Sequence, residues 1–150
     1  MTTLASDPHR RWMAALARAG EGLLEAAWSA LAPPPAYRLL RPVETGMTLL
    51  RGRIGGTGQP FNFGEATLTR AAVALATGEQ GFAYLLGCHP RRAELAAVFH
   101  ALLQRAESRD LIEERVIRPV EAAYAAAVSA DRAAIAATRV DFSTLVRGDG

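Results

Sequence analysis

Residues 37–54 read YRLLRPVETGMTLLRGRI, and the predicted sheet is based on the alternation within this segment. The segments from Tyr37 to Arg41 and from Met47 to Ile54 follow the period of two that is typical of half-buried strands. Glu44-Thr45-Gly46 lies between them, and its glycine can adopt the positive φ of a tight hairpin turn. We therefore predict that the two segments are strands joined by a hairpin at this glycine.

A second hairpin is predicted downstream. In the run from Ala66 to Leu75, alternate residues would share one face of a strand, although an alanine-rich run is equally compatible with a helix. The turn-forming residues from Thr77 to Gly81 and the aromatic and apolar run from Phe82 to Leu86 favour the strand. The sequence thus predicts a four-stranded, mainly antiparallel sheet built from two hairpins.

Helices are predicted on both sides of this sheet in the sequence. Asp7-Pro8 has the composition of an N-cap followed by proline at the first helical position, which predicts a helix over residues 8–19. A second short helix ends before the three prolines that begin at Pro33. A longer helix begins at His89-Pro90, and two more follow Ser108 and Pro119. The expected fold class is α+β, with two N-terminal and about three C-terminal helices.

Length and composition place limits on the function. The chain has 150 residues, which corresponds to one domain over residues 1–150, and 50% of them are hydrophobic. A net charge of +2 is too small to indicate binding to nucleic acid. The sequence contains no apolar run of the length that a membrane span requires. With the single Cys88 and no apolar secretion signal at the N-terminus, a cytoplasmic location is expected.

One segment combines arginines, a hydroxyl group and flexible backbone. Arg51 and Arg53 are two residues apart and would point to the same face of a strand, about 6.6 Å from each other, which suits a shared polyphosphate. The segment continues with Gly55, Gly56, Thr57 and Gly58, whose backbone N–H groups can approach an anion closely. No P-loop or dinucleotide fingerprint is present, so a solvated arginine-bearing hairpin remains the alternative interpretation.

The sequence offers no candidate for catalysis or metal binding. His89 and His100 lack a second ligand-type residue at metal-binding spacing. The adjacent carboxylates Glu113 and Glu114 are best explained by a solvated helix face. We therefore predict no metal site and no catalytic residue in this chain.

The last twelve residues follow neither helical nor strand periodicity. They carry four large apolar side chains without a local surface to cover them, and this predicts a partner-docking tail over residues 139–150. Its docking residues are expected to be Arg139, Val140, Asp141, Phe142, Leu145, Val146 and Arg147. We expect the isolated chain to associate with itself, because an uncovered partner surface leaves a large apolar patch.

The sequence strongly resembles the PhnG family, the G subunit of the bacterial carbon-phosphorus lyase system. The motifs that carry the resemblance are Glu44-Thr45-Gly46, the block from Arg53 to Gly58, Phe61, the block from Gly64 to Val73, and the closing Arg139-Val140-Asp141-Phe142 with Val146-Arg147-Gly148-Asp149. The second block also contains Thr69 and Arg70, which complete the candidate binding residues.

The resemblance implies a cytoplasmic complex with H, I and J subunits. With the L subunit, the G, H and I subunits would make α-D-ribose 1-methylphosphonate 5-triphosphate from ATP and methylphosphonate, with release of adenine. The family attributes the nucleosidase-like site to the I subunit and the radical iron-sulfur site to the J subunit. The G chain is then expected to bind no cofactor and to be non-catalytic alone. A purely structural adaptor and a free-standing phosphonucleoside-binding enzyme are the alternative hypotheses.

Overall fold

The computed structural model describes residues 7–138. Two helices precede the strands and three follow them, in the order α1 (Pro8–Arg18), α2 (Glu21–Ser29), β1 (Tyr37–Arg53), β2 (Pro60–Leu75), β3 (Gln80–Leu86), α3 (Pro90–Leu102), α4 (Ala106–Ile112) and α5 (Arg118–Ala137). A short 3₁₀ turn, Ile54–Gly56, follows β1, and a π-helical turn, Glu113–Ile117, joins α4 to α5.

The described residues form a three-stranded antiparallel sheet in the order β1-β2-β3, so the prediction of four strands from two hairpins is wrong. Glu44-Thr45-Gly46 does not form a turn. It lies within β1, where Gly46 pairs with Leu68 of β2. The strand passes Pro42 through register shifts, which an edge strand tolerates because its outer N–H groups need no ladder partner.

The chain reverses at the glycine-rich segment instead. Gly55 and Gly56 have φ angles of 60° and 79°, and the N–H of Gly58 donates to the carbonyl of Ile54 at 2.9 Å. Two consecutive residues in the left-handed region strongly favour glycine, because a Cβ is strained there. Gly46 does not have a positive φ and pairs as an ordinary strand residue, so the turn lies at Gly55-Gly56 and not at Gly46.

Helix α3 is the centre of the core. It packs against β2 and β3 on one side and against α1 and α2 on the other, so side chains all around it are buried. The close contact between α3 and the sheet depends on Gly81 of β3, since a Cβ at that position would lie 1.8 Å from the carbonyl oxygen of Ala97 in α3. The prediction of a helix after His89-Pro90 is confirmed, and this helix is enclosed on all sides.

The other helices differ in how far they are buried. The start of α1 is confirmed, because the Asp7 carboxylate accepts a hydrogen bond from the N–H of His9 at 3.0 Å. The helix predicted to follow Pro119 is confirmed as α5, with Pro119 in its first turn directly after the π-helical turn. In α5 only Val120 is buried, and the rest of this helix is more open to solvent. No helix within residues 7–138 has the length and apolar character needed to cross a membrane.

The strands β1 and β2 extend well beyond β3. Residues 47–53 pair with residues 60–67, whereas β3 pairs only with residues 68–74 of β2. We call this two-stranded extension, with the glycine turn at its end, the ribbon. It has no helix packed on it among the described residues, and most of its side chains are exposed. The ribbon therefore presents both faces to solvent.

Candidate functional site

The predicted anion-binding residues of the glycine segment lie together at the end of the ribbon. Arg51 pairs with Asn62 and Arg53 with Pro60, with no register shift between them, so both arginines are on one face of β1. Both are exposed, and neither forms a salt bridge with a described carboxylate. The guanidinium of Arg53 donates from Nη1 to the carbonyl of Gly58 at 3.1 Å, which ties the strand to the turn. This end of the ribbon is thus a small cationic loop with exposed glycine backbone.

Thr69 and Arg70 are not part of that loop. They follow Asn62 by seven and eight residues along β2, which places them on the order of 23 Å away at about 3.3 Å per residue. Arg70 donates to Glu44 with an Nε–Oε2 distance of 2.8 Å, and this hydrogen bond lowers the pKa of Glu44. The structure therefore brings six of the eight predicted binding residues together and separates the other two from them.

The side chain of Thr69 has a structural role. Its buried hydroxyl donates to the carbonyl of Gly87 at 2.6 Å and accepts the N–H of His89 at 3.0 Å. These two bonds join β2 to the segment between β3 and α3. The buried hydroxyl thus provides hydrogen-bond partners for two backbone groups of this irregular segment. In doing so, it fixes the position at which α3 begins.

The second feature is the face of the sheet opposite α3, which we call the outer face. Along β3, Gly81, Ala83 and Leu85 are buried towards α3, so Tyr84 and Leu86 point the other way and are 51% and 66% exposed. The register continues this face across β2 and β1. Its exposed apolar side chains include Phe82, Tyr84, Leu86, Phe61 and Phe63.

The aromatic pair at the end of the ribbon belongs to the outer face. Phe61 pairs with Gly52, and the ring of Phe63 lies over the same glycine, where a Cβ would be 3.2 Å from it. The two ring centroids are 6.1 Å apart. Gly52 and the register shift between Leu50 and Arg51 thus let two phenylalanines share one face, while Arg51 and Arg53 are on the other.

A histidine pair between α1 and α3, in which His9 is exposed and His100 is buried, was not predicted from the sequence. His9 Nδ1 lies 3.2 Å from His100 Nε2, although 91 residues separate them, and metal-ligand spacing in the sequence gives no signal for such a pair. His100 Nδ1 accepts the N–H of Phe82 at 3.1 Å, so the neutral ring carries its proton on Nε2 and donates it to His9. Burial, followed by the neighbouring His9, lowers the pKa of His100 to about 4. This histidine therefore caps the free edge of β3 in its neutral form.

The carboxylate of Glu113 is also not the solvated group that was expected. It accepts hydrogen bonds from Arg11 at 2.7 and 2.9 Å and from the Trp12 indole at 2.6 Å. Arg11 also donates to Glu121 at 2.7 and 2.8 Å. Burial acts to raise the pKa of Glu113, but the hydrogen bonds from Arg11 and Trp12 outweigh it, so the pKa is lowered. This cluster fastens α1 to the π-helical turn and α5. The charged groups of Arg11, Glu113 and Glu121 therefore have a structural role.

Within residues 7–138, no serine, threonine or cysteine side chain is hydrogen-bonded to a histidine ring. The same part of the chain has no group of three or more potential metal ligands. Fold and site together define an α+β protein with an exposed, arginine-tipped β-ribbon and an uncovered sheet face.

Comparison with known proteins gives the family. Residues 7–148 match the family described as phosphonate metabolism protein PhnG, and the chain belongs to this family. It is 47% identical over 140 residues to the protein of Rhizobium meliloti (strain 1021) named alpha-D-ribose 1-methylphosphonate 5-triphosphate synthase subunit PhnG. That alignment covers 93% of this chain and 89% of the relative. The resemblance predicted from the glycine and tail motifs is thereby confirmed.

Proposed function

We propose that this chain is a subunit of an α-D-ribose 1-methylphosphonate 5-triphosphate synthase and is not catalytic alone. The observation that carries the proposal is the 47% identity, over nearly the whole chain, to a relative named as such a subunit. In the reaction, the bond between ribose C1′ of ATP and adenine breaks, a bond from C1′ to a methylphosphonate oxygen forms, and adenine leaves. The chain acts in the cytoplasm with the H, I and J subunits and binds no cofactor of its own.

The ribbon suggests how the chain supports this reaction. A triphosphate carries several anionic oxygens, and Arg51 with Arg53 offers two cations on one face without competing carboxylates among the described residues. Gly55 and Gly56 add backbone N–H groups and Thr57 adds a hydroxyl beside them, whereas the N–H groups of Thr57 and Gly58 donate to the carbonyl of Ile54. In the proposed complex, the end of the ribbon reaches the triphosphate of ATP at a site shared with a partner.

Replacing both arginines tests this role. In the assembled complex, Arg51→Ala with Arg53→Ala should weaken ATP binding at least tenfold, because each charge-assisted hydrogen bond contributes about 1.5–3 kcal/mol. Isothermal titration of the purified complex measures the affinity. The matched control is Arg10→Ala with Arg132→Ala, which removes two exposed arginines from the helices. If the two double variants bind ATP with equal affinity, the ribbon is a solvated hairpin without a ligand.

The tail over residues 139–150 lies outside the described residues, and its docking role stays a prediction. Val140, Phe142, Leu145 and Val146 represent about 1.5–3 kcal/mol each on full burial. Ordering twelve residues costs roughly 1–2 kcal/mol each, so Arg139, Asp141 and Arg147 must add polar contacts with the partner. An added strand at a partner's sheet edge supplies such contacts.

Truncation after Thr138 tests the tail. The shortened chain should keep near-native circular dichroism but no longer co-purify with the I subunit. Unfolding of the shortened chain would assign the tail to this subunit's own core, and undiminished assembly would refute docking by the tail.

The two alternatives make different predictions. The hydrogen bond from Arg53 to Gly58 favours a structural adaptor, in which the arginine only closes the turn. For an adaptor, ATP would leave hydrogen exchange of residues 51–58 unchanged in the complex, whereas ligand contact predicts slower exchange there. Turnover of ATP and methylphosphonate by the purified single chain would support the free-standing enzyme and overturn the proposal.

A further inference from the structure

The outer face is a continuous apolar surface that no described element covers. The sheet has α3 on one side only, and the other side carries Tyr84, Leu86 and Phe82 along β3. Leu68 connects this group to the ribbon, since it pairs with Leu86 on one side and with Gly46 on the other. An exposed aromatic and aliphatic surface of this extent is typical of an interaction site.

The charges on this face indicate the chemistry of what covers it. Arg38 pairs with Ala74 and Arg41 with Ala72, so both belong to the outer face beside Phe82. Neither arginine forms a salt bridge with a carboxylate of residues 7–138. The remaining pair, Arg70 with Glu44, is internally neutralised. Glu44 also interacts electrostatically with Arg41, but Arg38, Arg41 and Arg70 outnumber it. The face therefore combines an apolar stripe with a net positive border along β1.

This charge pattern disfavours a second copy of the chain as the occupant. Two outer faces packed around a two-fold axis would bring a positive border against itself or against the apolar stripe of the other copy. Like charges placed together across an interface are repulsive, whereas carboxylates opposite arginines speed association and fix the register. The complementary surface is apolar with acidic residues at its edge.

We propose that the outer face is the docking surface for a non-identical protein subunit that presents an apolar patch bordered by carboxylates. The inference rests on the proposed function, because it takes the occupant to be another subunit of the same synthase. The docking interface then comprises the outer face of the sheet and the aromatic side of the ribbon. It is separate from the arginine side of the ribbon. The two sides of one ribbon then serve a partner and a ligand respectively.

The test uses the full-length chain co-expressed with the other subunits. Leu86→Asp and Phe63→Ser each change an exposed outer-face residue, 66% and 60% accessible, so the isolated variants should keep the circular dichroism of the wild type. The matched control is Leu111→Asp, which changes an exposed leucine on α4. We expect at least a tenfold loss of affinity for the partner subunits with the outer-face variants and little change with the control.

A second measurement addresses charge and location. Arg38→Glu with Arg41→Glu should slow association with the partners and reduce its dependence on salt, because the arginines face carboxylates. Hydrogen exchange at residues 60–68 and 80–86 should slow on assembly. These readouts remain informative if an aspartate variant is poorly folded.

The outcomes separate the two proposals. If the wild-type chain does not assemble with the other subunits, the proposed function fails. If it assembles and the outer-face variants assemble equally well, the docking inference fails while the proposed function stands. Protection of residues 80–86 already in an isolated chain of twice the monomer mass would assign the face to a second copy. Comparable binding of the wild type to anionic phospholipid vesicles, abolished by Leu86→Asp, would assign it to a lipid surface.

Discussion

Acid should destabilise this protein through His100 before its carboxylates titrate. The ring is 4% exposed and accepts the N–H of Phe82, so only its neutral form fits the fold. Its pKa is about 4 in the folded state against about 6.5 when unfolded. Because the unfolded chain binds the proton more readily, the stabilisation is complete above pH 6.5 and is lost as the pH falls towards 4.

The magnitude follows from the two pKa values. Between pH 7 and pH 5, the free energy of unfolding should fall by about 2 kcal/mol from this group alone, which corresponds to a Tm decrease of about 4–8 °C. Of the charged neighbours, His9 opposes protonation of His100 and Asp7 favours it, and burial remains the largest contribution. Glutamates with lowered pKa values contribute mainly below pH 4.5, outside this window.

Urea denaturation at pH 7 and pH 5, followed by tryptophan fluorescence, measures the effect. His100→Asn keeps an acceptor for the N–H of Phe82 but cannot titrate, so its unfolding free energy should be nearly equal at the two pH values. The control His89→Asn removes an exposed histidine and should retain the wild-type pH dependence. A wild type that loses no more stability than His100→Asn would refute the reasoning.

Two further predictions concern stability. Gly81→Ala should destabilise the fold by more than about 3 kcal/mol, because its Cβ would meet the carbonyl of Ala97 at 1.8 Å, whereas Gly46→Ala has open space around the Cβ and should change Tm little. Thermal melts of the two variants compare them directly, and equal Tm values would contradict the packing of α3. Glu113→Gln keeps an acceptor for Trp12 but loses the ionic part of the cluster, and should cost about 1–3 kcal/mol in urea denaturation. A result within error of the wild type would show that the cluster is solvated.

Local signals predicted the parts of the fold that depend on neighbouring residues. The Asp7-Pro8 cap identified the start of α1 because the Asp7 carboxylate satisfies an N–H only two residues away. Strand β2 was predicted over 66–75 despite its alanines, and this is confirmed. The position of the first turn was wrong because Gly46 and the Gly55-Gly56 pair are both compatible with a turn. Only pairing with β2 distinguishes them, and that pairing is not encoded locally.

The candidate site was predictable to the same extent. Arg51 and Arg53 share a face because strand periodicity alone determines it. Thr69 and Arg70 were predicted as binding residues from a sequence motif. The motif does not specify that the Thr69 hydroxyl donates to the carbonyl of Gly87 and that Arg70 pairs with Glu44. The contact between His9 and His100 depends on two helices meeting across the core, so no spacing rule reveals it.

The cluster around Glu113 also affects the order in which contacts form while the chain is synthesised. Arg11 and Trp12 are made early in synthesis, but their partners Glu113 and Glu121 follow about 100 residues later. At a translation rate of about 5–20 residues per second, roughly 5–20 s pass between the synthesis of Arg11 and that of its carboxylate partners. Helix α3 is made before these partners and already offers α1 a packing surface, so only the charged contacts of α1 are delayed. The charged contacts of α1 can thus form only after Glu113 and Glu121 have been made, although Arg11 and Trp12 precede nearly all of the described residues.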